Sequence, residues 1–170
     1  MHIFLTGGMQ VGKTTIIRKF LAQSGLSADG FVTYWEPDRD GGESLFLSPY
    51  SPDLHAVEKH LITHRNDGQS LRGANLGHIF DTQGARILDS SGKLDIIIMD
   101  ELGFLETQST VFQNAVLRHI SGKVPILGAI KPESTAFLDK IRAYCNVTIR
   151  EITAENREAE LAFVISALKK

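Results

Sequence analysis

Gly7-Gly8-Met9-Gln10-Val11-Gly12-Lys13-Thr14 fits the pattern G-x-x-x-x-G-K-[ST]. Ahead of it lies the apolar run Ile3-Phe4-Leu5, and behind it Thr15-Ile16-Ile17-Arg18-Lys19-Phe20-Leu21 carries apolar residues at helical spacing. The context is strand, glycine-rich loop, helix, which is the setting in which this pattern cradles phosphate. A triphosphate tail needs several inward-pointing N–H groups, and glycines such as Gly7 and Gly12 let the backbone curl around oxygen atoms that a Cβ would strike. The helix that follows offers unpaired N–H groups and the positive end of its dipole at the same place. Lys13 would reach the β- and γ-phosphates, and the Thr14 hydroxyl would ligate Mg²⁺. Residues 7–15 form the expected nucleotide-binding loop, Thr15 included.

Working outward, the 170 residues suit one domain spanning 1–170. With 42% hydrophobic and 22% charged residues, the chain has the composition of a globular protein rather than a disordered or fibrous one. Eighteen basic residues against 20 acidic give a net charge of −2, so no global positive field would recruit nucleic acid. The single Cys145 cannot form an intramolecular disulfide and reads as a small buried side chain in a reducing compartment. No apolar run approaches membrane-spanning length and no charged leader precedes the first strand, which points to the cytoplasm.

Along the chain, Ile16, Ile17, Phe20 and Leu21 mark one face of the first helix, and Gly25 supplies its stop. Gly30 to Trp35 and Ser44 to Leu47 are strand-like around the turn Pro37 to Gly42, which predicts a β-hairpin. Ser51-Pro52 looks like a helix start, with Leu54, Val57 and Leu61 as its buried stripe. The Gly- and Asn-rich stretch from Arg65 to His78 reads as a loop, and a helix is expected from about Asp81 to Ser90, ended by Ser91-Gly92. Leu94 to Met99 is a nearly unbroken apolar run, suited to a central parallel strand covered on both faces. A helix carried by the apolar positions Val111, Phe112, Ala115, Val116 and Ile120, another at Thr135–Ala143, strands at Val124–Ile130 and Val147–Ile149, and a last helix with Leu161, Val164, Ile165 and Leu168 inward complete the alternation. Strands alternating with helices predict an α/β three-layer sandwich: a mostly parallel central sheet with helices on both faces, and the hairpin after the first helix.

Asp100 and Glu101 end the strongest apolar strand. Ligands of parallel α/β sheets bind beyond the carboxyl ends of the strands, so both acids should face the crevice of the phosphate loop. Asp100 is the expected metal-holding carboxylate. Glu101 is placed to polarise a water for in-line attack on a γ-phosphate, which makes it, with Lys13, the expected catalytic pair.

These residues resemble a known family. The loop with Lys13-Thr14-Thr15, the Gly30-Phe31-Val32-Thr33 strand, Met99-Asp100-Glu101-Leu102-Gly103-Phe104-Leu105-Glu106 and Ile152-Thr153-Ala154-Glu155-Asn156-Arg157 look like the P-loop nucleoside-triphosphatases of the THEP1 type, in matching order over nearly the whole chain. The resemblance implies Mg²⁺-dependent hydrolysis of nucleoside 5′-triphosphates, ATP and GTP among them, to diphosphate and phosphate. It assigns Lys13 and Thr14 to phosphate and metal, Asp100 to the metal and Glu101 to the water. Asn156 and Arg157 fall in the loop after the last strand, where such proteins commonly hold the base; a helix-start Asn and a surface Arg is the equal alternative. Two departures stand out: Met9-Gln10 in the loop, and Glu43-Ser44 where relatives often carry a basic residue. Arg39, Arg65, Arg72 and Lys131 are the substitutes to weigh for that charge, each also readable as a solvated surface group.

Two other functions share these motifs. A small-molecule kinase would replace water by a bound acceptor, and a nucleotide-gated binding module would use slow hydrolysis as a timer. His60 and His64, four apart on the expected helix, lack the Glu that completes a hydrolytic zinc motif. Tyr34 and Trp35 read as packing residues.

Overall fold

The computed structural model describes residues 1–65, 76–90 and 94–169. Seven strands form one sheet: β1 (His2–Thr6), β2 (Ala28–Pro37), β3 (Glu43–Pro49), β4 (His60–Arg65), β5 (Ile96–Leu102), β6 (Ile126–Ile130) and β7 (Val147–Glu151). Their order across the sheet is β4-β3-β2-β5-β6-β1-β7. The apolar run that predicted a central strand is β5, the fourth of seven. Pairs β2–β5, β5–β6, β6–β1 and β1–β7 are parallel, and the hairpin strand β3 and its neighbour β4 are antiparallel.

Alternation along the strands divides the core in two. Ile3 and Leu5 of β1, with Ile96 and Ile98 of β5, pack with Ile16, Ile17 and Phe20 of α1 (Lys13–Ser24) and Leu161 and Val164 of α6 (Arg157–Leu168). Phe4, Ile97 and Met99 point the other way. They meet the segment α2 (Leu76–Ile79), a π-helical turn (Phe80–Gly84) and α3 (Ala85–Asp89), together with α4 (Thr110–Ile120) and α5 (Ala136–Arg142). Both faces of β5 are thus covered, which is why its sequence does not alternate. The predicted three-layer arrangement is present, and Gly25 ends α1 in the left-handed conformation at φ 68°.

Four expectations require correction. Residues 51–61 do not form a helix: Asp53 caps a single 3-10 turn at Leu54–Ala56, and the chain enters β4 at His60. Leu54, Val57 and Leu61 share helical spacing by coincidence; Leu61 is half-exposed, and the buried side chain of β4 is Ile62. His60 and His64 therefore lie on a strand, and the His64 ring pairs with Asp38 at 2.7 Å. Val111 faces outward, and the inward face of α4 is Phe112, Ala115, Val116 and Ile120. Cys145 is exposed, in the turn between α5 and β7, rather than buried. Most of the expected Arg65–His78 loop, with Arg72, and the Ser91-Gly92 stop lie outside the described residues.

Candidate active site

The loop between β1 and α1 sits at the carboxyl end of the sheet, where β5 also ends. Gly7 and Gly12 have φ of 129° and 107°, values that L side chains rarely adopt. A Cβ on Gly7 would come within 2.5 Å of the Ile152 carbonyl oxygen, so the loop can only close against the end of β7 with glycine there. Gln10, at φ 58°, supplies a third left-handed residue. The Lys13 ammonium turns back into the loop and donates to the carbonyls of Gly7 (3.0 Å) and Gly8 (2.9 Å).

The pairing of β5 with β6 shifts register between Met99 and Leu102, which takes Asp100 and Glu101 out of the regular ladder. Asp100 is buried at 4% exposure and accepts a hydrogen bond from the Thr14 hydroxyl. Burial pushes its carboxyl up to about 6; the Thr14 bond and the charges of Lys13 and Arg18 oppose that rise, and neighbouring Glu101 adds to it. The Glu101 carboxylate stands between two ammonium groups, 3.4 Å from Lys13 Nζ and 3.5 Å from Lys131 Nζ. The Glu101 amide donates to Thr33 Oγ1 of β2 at 3.3 Å, fixing the backbone from which the side chain projects.

These groups line one cleft of about 670 Å³, formed by residues 7–15, Asp100 and Glu101 together with Thr33, Trp35, Arg65 and Lys131. That volume lies in the range of small-molecule sites. Of the four basic candidates, Lys131 and Arg65 are in the cleft, Arg39 is exposed at the hairpin tip, and Arg72 lies outside the described residues. Arg65 Nε donates to Glu43 at 2.9 Å, and its guanidinium lies 4.1 Å from the centre of the Trp35 ring. The acidic departure at Glu43 thus holds an arginine in the cleft. Thr33 and Trp35 were not singled out for the site from sequence. Only the pairing of β2 with β5, Val32 opposite Asp100, reveals that they border it.

Asn156 and Arg157 do not line this cleft. The Asn156 amide accepts from the Thr153 N–H (2.8 Å) and donates to the Glu151 carbonyl (2.8 Å), which shapes the loop after β7. Arg157 Nε donates to the Val11 carbonyl at 2.6 Å and passes over Gly12, bracing the phosphate loop from outside. Asp100 and Thr14 form a hard oxygen-donor pair, and no group of three or more His, Cys, Asp or Glu side chains among the described residues is arranged to hold a metal ion. One carboxylate and one hydroxyl suit Mg²⁺, which keeps waters and takes phosphate oxygens, and do not suit zinc.

Glu106 is a further buried acid. At 2% exposure, its carboxylate accepts from the Gly103 N–H at 2.9 Å. Burial pushes it up to about 7, with Glu101 adding and the two backbone bonds and Lys131 opposing. A carboxyl that holds its proton more tightly when folded stabilises the fold most below about 4.5, and loses that contribution as pH rises through about 7, the reverse of a salt-bridged acid. The loss amounts to about 3 kcal/mol. About 2.5 kcal/mol of it falls between pH 5 and 8, and at ~2–4 °C per kcal/mol this lowers the melting temperature of the metal-free protein by ~5–10 °C over that range. In Glu106→Gln, which keeps an acceptor for Gly103, most of that slope should vanish, leaving the smaller part of the same sign from Asp100. A native melting temperature that rises over this range would overturn the assignment.

Comparison with known proteins gives a consistent result. A family model described as NTPase matches residues 2–165. The chain is 28% identical to nucleoside-triphosphatase THEP1 of Thermotoga maritima over 181 residues, covering 99% of this chain and 96% of that one. It is 32% identical to nucleoside-triphosphatase THEP1 of Methanocaldococcus jannaschii over 165 residues, covering 93% and 91%. The crystal structure of THEP1 from Aquifex aeolicus superposes over the full length of both chains with a TM-score of 0.73 at 24% identity, and so shares the fold.

Proposed function

The chain belongs to the THEP1 family of nucleoside-triphosphatases, and on that premise we propose that it hydrolyses nucleoside 5′-triphosphates, ATP and GTP among them, to diphosphate and phosphate with Mg²⁺. The observation that carries the reading is the Glu101 carboxylate, suspended between the lysine of the phosphate loop and Lys131, beside the buried Asp100–Thr14 pair.

In this mechanism the loop amides and Lys13 bind the β- and γ-phosphates and hold the γ-phosphorus within reach of Glu101. Glu101 orients the attacking water and accepts its proton. Lys13 and Lys131 stabilise the charge that spreads over the transferring group, and Arg65 stands at the cleft's edge to add to it. Thr14 and Asp100 would hold Mg²⁺, which when bound neutralises charge on the β- and γ-oxygens. Asn156 and Arg157 flank the outer side of the loop, on the side towards which the ribose and base are proposed to extend. No helix among the described residues is long and apolar enough to cross a membrane, and a cytoplasmic setting goes with an exposed free thiol and an intracellular triphosphate pool.

Phosphate release from ATP, GTP, CTP and UTP, each with and without Mg²⁺, tests the proposal. Release from several of the four, dependent on the metal, is the expected result. Tight binding of all four with no phosphate released would sink it.

A further inference from the structure

A second cavity, of about 240 Å³, adjoins the nucleotide cleft and is also lined by Glu101. It shares Glu101, Lys131, Arg65, Trp35, Thr33 and Met9 with the nucleotide cleft, and adds to them Leu45, Phe104 and Leu105, with Gly103 and the buried acid Glu106. None of the hydrolytic roles above uses Leu45, Phe104 or Leu105.

We propose that this chamber binds a small, uncharged, single-ring alcohol, with its hydroxyl at Glu101, as an alternative acceptor of the γ-phosphoryl group. The inference rests on the reading that the γ-phosphate is held at Glu101.

Four observations support the assignment. Glu101 is the one carboxylate that lines both the chamber and the nucleotide cleft, so a hydroxyl bound in the one and a phosphate bound in the other share it as a neighbour. The chamber's volume is below the ~300 Å³ at which drug-sized pockets begin, which sets the ligand at one ring. Lys131 and Arg65 are shared with the phosphate cleft, and the lining that belongs to the chamber alone holds no cation and one acid, Glu106, which already accepts from the Gly103 N–H, so a neutral ligand fits best. Finally, Met9 (80% exposed) and Phe104 (44%) are large apolar side chains left open to solvent at this rim, a surface that an apolar ring would cover.

The step balances without another reactant. The bond between the γ-phosphorus and the bridging oxygen of the β-phosphate breaks, a bond from the acceptor's hydroxyl oxygen to that phosphorus forms, the hydroxyl proton passes to the Glu101 carboxylate, and the nucleoside diphosphate leaves.

The test is ³¹P NMR of the full chain with ATP and Mg²⁺, alone and with benzyl alcohol, 3-pyridinemethanol or cyclohexylmethanol, with ethanol as the ringless reference. The expected result is a phosphate ester of at least one ring alcohol at the expense of free phosphate. The ester-to-phosphate ratio should exceed that with ethanol by tenfold or more, and should fall by tenfold or more in Leu105→Trp, which fills the chamber, and in Phe104→Ala, which removes a wall. Melting curves of both variants separate loss of the chamber from loss of the fold. Free phosphate as the sole product with all three ring alcohols overturns the proposal, as does an ester ratio that neither variant moves. Phosphate release in the absence of any alcohol reports separately on the hydrolytic reading: ester formation without it would leave the acceptor site standing and remove the hydrolase.

Discussion

Glu101→Gln is expected to lower turnover of nucleoside triphosphate by about 10²–10⁴-fold, the range supplied by a positioned general base, while leaving nucleotide binding intact. The substitution keeps the side chain's length and its carbonyl acceptor, so Lys13 and Lys131 retain a polar neighbour at the positions now 3.4 and 3.5 Å away. What is lost is the ability to take a proton from water. Binding should, if anything, tighten, because a carboxylate facing the incoming γ-phosphate repels it and an amide does not. Single-turnover phosphate release combined with fluorescent-nucleotide titration separates the two effects. Unchanged turnover would show that Glu101 serves only as a counter-ion to the two lysines, and the attacking water would then need another base.

The elements that carry this prediction differ in how far the sequence alone exposes them. The phosphate loop, β1, α1 and β5 are local features: glycine spacing, an apolar run and helical periodicity all lie within a short stretch, and tertiary packing agrees with them. That Asp100 and Glu101 meet the loop follows from one topological rule about parallel sheets. The rest of the site depends on strand pairing. β4 is an edge strand whose two apolar residues, Leu61 and Ile62, are adjacent, so it lacks the alternation that marks a half-buried strand, while Leu54, Val57 and Leu61 imitate a helix. Only its antiparallel pairing with β3, with a register shift between Leu45 and Phe46, sets Arg65 opposite Glu43 and brings it over Trp35. Asn156 illustrates the opposite limit: its position after the last strand is legible, but whether its amide reaches outward or caps its own loop is decided by backbone geometry that no spacing encodes.

Lys13→Met should remove both affinity and rate. The methionine retains an unbranched apolar stem along the loop, and the position is only 10% exposed at its side chain, so the fold should survive with the Gly7 and Gly8 carbonyls merely losing their ammonium donor. A charge-assisted bond to a phosphate oxygen is worth ~1.5–3 kcal/mol, and Lys13 is proposed to contact two phosphates, so affinity should drop ~100-fold. Turnover of the residual complex should fall a further ~10²–10³-fold, the cost of removing one donor aimed at developing charge. Thermal shift offers a readout independent of catalysis. At nucleotide equal to 100 times the native Kd, binding stabilises by ~2.7 kcal/mol, or ~5–10 °C for a chain of this size. With Kd raised 100-fold the same concentration gives only RT ln 2, ~0.4 kcal/mol, a shift of ~1 °C. Lys13→Arg should not restore the native shift, because a planar guanidinium on a longer stem does not fit the pocket formed by two carbonyls and a carboxylate as a compact ammonium does. A native-sized thermal shift in Lys13→Met would mean that the loop amides alone bind the triphosphate, and the lysine would then have to be assigned to the transition state only.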